Sequence, residues 1–189
     1  MSAILAPTRH KLSVEDYHKL GDAGVLSEDS RVELIEGELI DMAPIGASHM
    51  WVVNRLNKLL VSAVGDLGVV SVQNPVTLPP HSEPQPDFAI LRPGADSVSA
   101  GLPKTDDVLL LIEVADTTLA YDRSTKLQLY ARHGILEAWI VNLPDRLLEM
   151  YREPKDGAYR VKLERLPNES ASPAALPTVK VRLADLLAA

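Results

Sequence analysis

One glutamate stands inside the most apolar run of this sequence. Glu113 follows the run Val108-Leu109-Leu110-Leu111-Ile112 and precedes Val114, a pattern typical of a strand that is buried on both faces. A carboxylate in such a strand loses hydration worth several kcal/mol unless a metal, a cation or several hydrogen-bond donors replace the water. Glu113 therefore needs a partner, and the fold has to supply it.

A second acid begins another predicted strand. Asp87 follows Pro86, whose ring favours an extended conformation and allows the carboxylate to leave the edge of a sheet. If Asp87 lies beside Glu113, the two like charges repel, and a divalent cation between them would keep both ionised. Pro-Asp also opens many turns, so a purely structural role for Asp87 stays open at this point.

A lysine and a tyrosine follow in a predicted helix. Asp122 can cap this helix, which runs to about His133 and ends at Gly134. Lys126 lies about one turn into the helix, and Tyr130 shares its face. Lys126 has two possible roles. It either reaches back over the strand end, where its charge would stabilise the negative charge that develops on a phosphorane during phosphodiester cleavage, or it is a solvated lysine paired with Asp122.

Two further residues are weaker candidates. Glu36 lies at the tip of a hairpin predicted by Glu36-Gly37, where a glutamate is usually only solvated. His49 opens a long amphipathic helix, and a lone histidine is more often a packing or capping residue than a ligand.

Periodicity and turn residues divide the rest of the chain. One helix is predicted to start at Ser13 and another to run over 47–67, and 184–187 closes the chain. Strands are predicted over 31–35, 38–42, 69–73, 75–78, 87–91, 108–114, 137–141, 146–152, 158–163 and 179–183, and those around 36–37 and 155–157 form antiparallel pairs.

Length and charge bound the function. With 189 residues, 46% of them hydrophobic, the chain is predicted to be a single domain over 1–189 with its core at about 31–152. Cysteine is absent, which excludes thiolate zinc sites. The net charge of -7 argues against a non-specific nucleic-acid coat protein. Four basic residues are nevertheless expected to cluster around the site: Arg123, Lys126, Arg132 and His133.

The N-terminus is interrupted by Pro7, Arg9 and Lys11 before it could form the apolar core of a signal peptide. No apolar run approaches the ~20 residues that span a bilayer. We therefore expect a soluble, cytoplasmic protein that does not associate with membranes.

Together, Pro86-Asp87, Glu113-Val114 and the downstream Lys126 resemble the signature of the PD-(D/E)XK nuclease superfamily. Longer stretches are similar to the Uma-type bacterial family of restriction-endonuclease-like proteins, and the likeness covers about Glu33 to Tyr151. These stretches are 34–39 with His49, 111–118, 121–127 with Tyr130, and 134–141. The sequence departs from the superfamily at Ala115, where a lysine is usual; Lys126 matches the position from which the Uma-type family takes its lysine.

The resemblance implies an α/β (α+β) fold with a restriction-endonuclease-like mixed β-sheet flanked by helices, often as a homodimer. It implies that Asp87 and Glu113 bind Mg²⁺ or Mn²⁺ and that Lys126 is the catalytic lysine. Glu36 would be an outer ligand. His49, Asp122 and Tyr130 are candidates for supporting roles.

The resulting hypothesis is a metal-dependent endonuclease that hydrolyses DNA phosphodiester bonds. The alternative is a catalytically silent nuclease fold that binds nucleic acid or a protein partner, in keeping with the acidic charge and the lysine missing at Ala115. A hydrolase that acts on sugars through a carboxylate pair without a metal is disfavoured by Lys126 and by the few aromatic residues.

Overall fold

The computed structural model of the protein describes residues 8–27, 29–97, 99 and 101–187. Two compact units divide it: Met1–Met42 with Leu78–Pro84, and Ala43–Thr77 with Gln85–Ala189, each considered over its described residues. The prediction that the chain begins without a signal peptide falls partly on residues 1–7, which lie outside the described residues. The prediction of a single domain over 1–189 stays a prediction.

The first unit opens with helix α1 (Val14–Asp22), which the sequence correctly starts at Ser13. Ser13 Oγ accepts the backbone N–H of Asp16 at 3.1 Å, and the Asp16 carboxylate accepts the N–H of Ser13 at 3.1 Å. This reciprocal pair satisfies two backbone donors that the helix itself leaves without partners.

Strands β1 (Val32–Ile35) and β2 (Glu38–Asp41) form the predicted antiparallel hairpin. Its turn lies at Glu36 and Gly37, whose φ angles are +51° and +84°. All four residues of β1 are buried. Leu34 also bridges to Glu83, so β1 has a neighbour along its second edge as well.

The second unit contains a six-stranded sheet in the order β3-β4-β5-β6-β7-β8. Strands β5 and β6 are parallel and every other neighbouring pair is antiparallel. The predicted mixed sheet flanked by helices is therefore confirmed. The strands are β3 (Val69–Val72), β4 (Phe88–Leu91), β5 (Val108–Ala115), β6 (Glu137–Asn142), β7 (Leu147–Lys155) and β8 (Ala158–Arg165).

Helix α2 (Ala47–Val64) covers one face of this sheet, and a short 3₁₀ turn (Gly65–Leu67) follows it. Its buried positions recur every three or four residues, as the sequence predicted. They pack with inward-facing strand residues and with the C-terminal residues into one core. Its largest members include Leu56, Leu60, Phe88, Ile90, Leu110, Ile112, Trp139 and Met150.

The helical segment after β5 is built in three parts. Helix α3 (Leu119–Tyr121) leads into a π-helical turn (Asp122–Lys126), and helix α4 (Leu127–Arg132) follows. The prediction that this segment starts at Asp122 is wrong, because Thr118 is already helical in φ and ψ and Leu119 begins the helix. The end is as predicted: Gly134 follows with φ +76°.

Two predicted strands are reduced by local backbone chemistry. Over 75–78 only isolated bridges form, because Pro75 and Pro79 lack donors; one of these bridges is the parallel pair Thr77 and Lys104, in which the N–H of Thr77 bonds Pro103 O at 2.8 Å. Near the C-terminus, β9 (Ser170–Ala171) pairs with β10 (Val181–Arg182), and helix α5 (Leu183–Leu187) begins where the predicted strand would have continued.

No helix among the described residues is long and apolar enough to cross a membrane.

Neighbouring residues of α2 offer a matched test of this core. Leu60 is 0% exposed and packs in the core, whereas Val61 is 56% exposed. We expect Leu60→Ala to lower the free energy of unfolding by about 2–5 kcal/mol through lost burial and a cavity. Val61→Ala should change it by less than about 0.5 kcal/mol. Urea unfolding of both variants measures this, and equal losses would contradict the assignment of the buried face.

Candidate active site

The register of two strands brings Asp87 and Glu113 together. Phe88 pairs with Ile112 across β4 and β5, which sets Asp87 opposite Glu113. The N–H of Asp87 donates to Glu113 Oε2 at 3.4 Å, and the N–H of Val114 donates to Asp87 Oδ2 at 2.9 Å. Two carboxylates thus lie at the same end of neighbouring strands.

The Asp87 carboxylate is held by three donors. His49 Nε2, from the first turn of α2, lies 2.9 Å from Oδ2, and Gln73 Nε2 lies 3.1 Å from Oδ1. Burial opposes ionisation, but the bond and charge of His49, with the Val114 N–H and Gln73, hold the pKa of Asp87 below its usual value. In return, the hydrogen bond to Asp87 raises the pKa of His49. His49 therefore contacts an acid of the site and does not merely pack.

Glu113 is held by the helical segment on its own face of the sheet. Lys126 Nζ lies 3.3 Å from Glu113 Oε1, and the Tyr130 hydroxyl donates a short hydrogen bond to the same oxygen. Glu113 is 5% exposed, Lys126 7% and Tyr130 0%. The interpretation of Lys126 as a solvated lysine is therefore wrong.

The donor set can be tested against a metal ion. Among the described residues, no group of three or more His, Asp or Glu side chains is arranged to hold one. Mg²⁺, however, is commonly bound by one or two carboxylates and completes its shell with water and substrate phosphate oxygens. Asp87 and Glu113 supply two hard oxygen ligands on adjacent strands, and this chemistry fits Mg²⁺ or Mn²⁺.

Two other candidates have different positions. Asp122 is buried in the π-helical turn, accepts a hydrogen bond from Thr118 Oγ1 at 2.7 Å, and its charge contributes to the raised pKa of His49. Glu36 belongs to the first unit, where its side chain is exposed in the hairpin turn and its backbone N–H donates to Ser82 Oγ at 2.9 Å. Its role as an outer ligand stays a prediction.

The predicted cluster of basic residues around the site does not form. Arg123 pairs with Glu149, His133 Nδ1 bonds Leu129 O at 2.9 Å, and the side chain of Arg132 lies beside Gly157. Arg123 and Lys126 share one turn, whereas Arg132 and His133 follow about two helical turns later and make other contacts. Lys126 alone of the four has a described contact with Glu113.

The sequence interpretation missed two residues near the carboxylates. Gln73 reaches Asp87 because β3 and β4 pair as neighbours, with Val72 opposite Phe88, and this pairing has no local signal. Asp116 directly follows β5, and its charge also raises the pKa of His49. Asp116 could have been found from the sequence, because it is an acid directly after the predicted strand that carries Glu113.

A second buried carboxylate lies on the same face as Glu113. Glu149 on β7 is 0% exposed and accepts hydrogen bonds from Arg123 Nε at 3.2 Å and Asn142 Nδ2 at 2.9 Å, and a short one from the Tyr151 hydroxyl. Lys162 Nζ lies 3.4 Å away. Burial alone would raise the pKa of Glu149, but these donors and cations lower it to about 2.

Comparisons with known proteins agree with this architecture. A family model described as "Uma2: Putative restriction endonuclease" matches residues 14–184. A crystal structure described as "a putative nuclease belonging to DUF820 from Anabaena variabilis ATCC 29413" aligns with a TM-score of 0.71 at 16% sequence identity, over 93% of this chain and 97% of that chain. At this identity the likeness shows the fold. No curated protein matches the chain.

The lowered pKa of Glu149 predicts how stability depends on pH. Because the pKa of Glu149 is about 2 in the folded protein and that of an ordinary glutamate is 4.5, the ionised form contributes about 3 kcal/mol at neutral pH, and this contribution is lost as pH falls from 4.5 towards 2. Between pH 7 and pH 3, the wild type should lose about 2 kcal/mol more than Glu149→Gln. Urea titrations at both pH values measure this, and parallel losses would contradict it.

Proposed function

Because this chain belongs to the Uma2 family, we propose that it is a metal-dependent endonuclease that hydrolyses phosphodiester bonds of DNA. The observation that carries the proposal is one constellation: carboxylates at Asp87 and Glu113 on adjacent strand ends, with the Lys126 ammonium 3.3 Å from Glu113. Two acids can hold a divalent ion for metal-assisted cleavage of a phosphodiester, and a lysine beside them can stabilise the charge that develops.

In this mechanism Asp87 and Glu113 would hold Mg²⁺ or Mn²⁺. When bound, such an ion polarises a phosphate oxygen and lowers the pKa of coordinated water. The protein keeps the ligands ionised and oriented: His49 and Gln73 fix the Asp87 carboxylate, and Tyr130 fixes Glu113. Groups that orient metal ligands in this way commonly matter for metal affinity and activity.

Lys126 would act on the substrate. Its ammonium is buried beside Glu113, where a charge interacts more strongly than in water. There it can orient the attacking water or offset the negative charge that develops on the phosphorane. Asp122 would support the charge of His49 and Glu36 would serve as an outer ligand. A DNA substrate, a homodimeric assembly, a single domain and a cytoplasmic location belong to the same proposal.

One observation favours a second candidate function. Each carboxylate of the pair already has a basic partner in the protein: Lys126 for Glu113, and His49, whose pKa is raised by the hydrogen bond to Asp87, for Asp87. Such partners satisfy both acids without a metal. It suits a catalytically silent nuclease fold that binds nucleic acid or a protein partner.

Removing one carboxylate tests catalysis. With plasmid DNA and Mg²⁺, Asp87→Ala should slow cleavage by more than about a hundredfold, since losing a residue that only supports a metal ligand already costs about 10–100-fold. Asp66→Ala, at an exposed acid in the turn after α2, is the matched control and should cleave at the wild-type rate. Unchanged cleavage by Asp87→Ala would overturn the role given to Asp87.

Metal binding separates the two candidate functions. In titration calorimetry the wild type should bind Mn²⁺, and Glu113→Gln should lose most of this binding because the near-isosteric change removes the charge. Glu164→Gln, at an exposed glutamate of β8, is the control and should bind as the wild type does. Absence of Mn²⁺ binding to the wild type would contradict metal dependence and favour the silent module.

A further inference from the structure

Two cations in one turn of helix face two buried acids on the sheet. Arg123 and Lys126 both lie in the π-helical turn, and they contact Glu149 and Glu113 respectively. Ile140 of β6 pairs with Glu113 on one side and with Glu149 on the other. The two acids therefore lie in one row on one face, about 10 Å apart across two strand spacings.

The turn that carries both cations needs external support. The N–H of Leu127 bonds Asp122 O, the i→i+5 pattern of a π-helical turn. Such turns are rare insertions in α-helices, because the α-helical pattern is ordinarily the more stable one. In addition, Ser124 Oγ donates to Ala120 O at 2.7 Å, a local bond of the kind that bends helices. Tertiary contacts must therefore hold the side chains of this turn in place.

The contact between Arg123 and Glu149 is suited to that task. Arg123 donates from both Nε and a terminal guanidinium nitrogen, which gives a two-point contact with a fixed direction. Its acceptor is oriented by other bonds, since Glu149 is fully buried on β7 and accepts hydrogen bonds from Asn142 and Tyr151. The arginine thus ties the turn to β7.

We infer that Glu149 is a positioning residue for Lys126: through Arg123 it holds the π-helical turn in the rotation that brings Lys126 Nζ to Glu113. The inference deepens the proposed function, on which it rests wherever cleavage is the readout. Its structural part concerns only where the Lys126 side chain lies, and this can be measured without cleavage.

The first measurement is the reactivity of Lys126. Wild type and variants are acetylated with N-hydroxysulfosuccinimide acetate, and the rate at each lysine is obtained by peptide mass spectrometry, with exposed Lys58 as the internal reference. Buried Lys126 should react slowly in the wild type. Its rate relative to Lys58 should rise several-fold in both Glu149→Gln and Arg123→Gln, because either change releases the turn.

Two further variants make the result specific. Glu149→Gln combined with Arg123→Gln should expose Lys126 no more than either single change, because both remove the same contact. Lys162→Gln removes another cation from Glu149 without touching the helical segment and should leave Lys126 protected. Circular dichroism confirms that each variant is folded. Wild-type protection of Lys126 in both folded single variants would overturn the inference.

The second measurement is cleavage. Glu149→Gln should lower kcat roughly tenfold to a hundredfold with little change in KM, as expected when a reacting group is displaced by about 1 Å. Arg123→Lys, which keeps the charge, should lose less activity than Arg123→Gln. If the wild type cleaves no nucleic acid, the proposed function fails, and the Lys126 reactivity alone decides whether Glu149 positions it.

Discussion

Buried carboxylates on the six-stranded sheet must each find donors or cations, and much of the second unit is arranged around that requirement. Glu113, Glu137 and Glu149 lie on three successive strands and are all at most 5% exposed. Each has a basic partner from elsewhere in the fold: Lys126, Arg152 and Arg123. Removing one partner of such a pair strands a buried charge, which typically costs 3–5 kcal/mol.

The three acids differ in what their partners do. Glu137 ties distant segments together, since it accepts the Ala174 N–H at 2.6 Å, Trp139 Nε1 at 2.6 Å and Arg152 Nε at 2.8 Å. Glu149 anchors the helical segment through Arg123. Glu113 lies opposite Asp87 across β5 and β4, and its carboxylate accepts the backbone N–H of Asp87 at 3.4 Å. Its surroundings therefore bring the two proposed metal ligands together.

The same compensation explains why this site supports two functional readings. A lysine and a histidine keep the two carboxylates ionised and oriented, which prepares them to bind a cation. The same two basic residues also lower the need for a metal, because they satisfy the acids within the protein. The site binds a metal if the free energy gained by metal coordination exceeds the free energy lost when the bonds of Lys126 and His49 to the carboxylates are weakened.

The sequence by itself determined the elements that depend on neighbouring residues. The capping box at Ser13, the hairpin at Glu36-Gly37, the buried stripe of α2 and the helix stop at Gly134 all follow from interactions within a few positions. It also identified Glu113 as an acid that needs a partner, because the apolar run before Glu113 predicts that its strand is buried. Together with the family likeness, these features predicted the mixed sheet.

Tertiary structure decided which partners the buried acids received. The pairing of β3 with β4 brought Gln73 to Asp87, and the row across β5, β6 and β7 set Glu149 beneath Arg123, so that the expected basic cluster divided between two acids. The physical reason is common to all of these: strand order and long-range hydrogen bonds join residues far apart in the chain, and no local pattern encodes them.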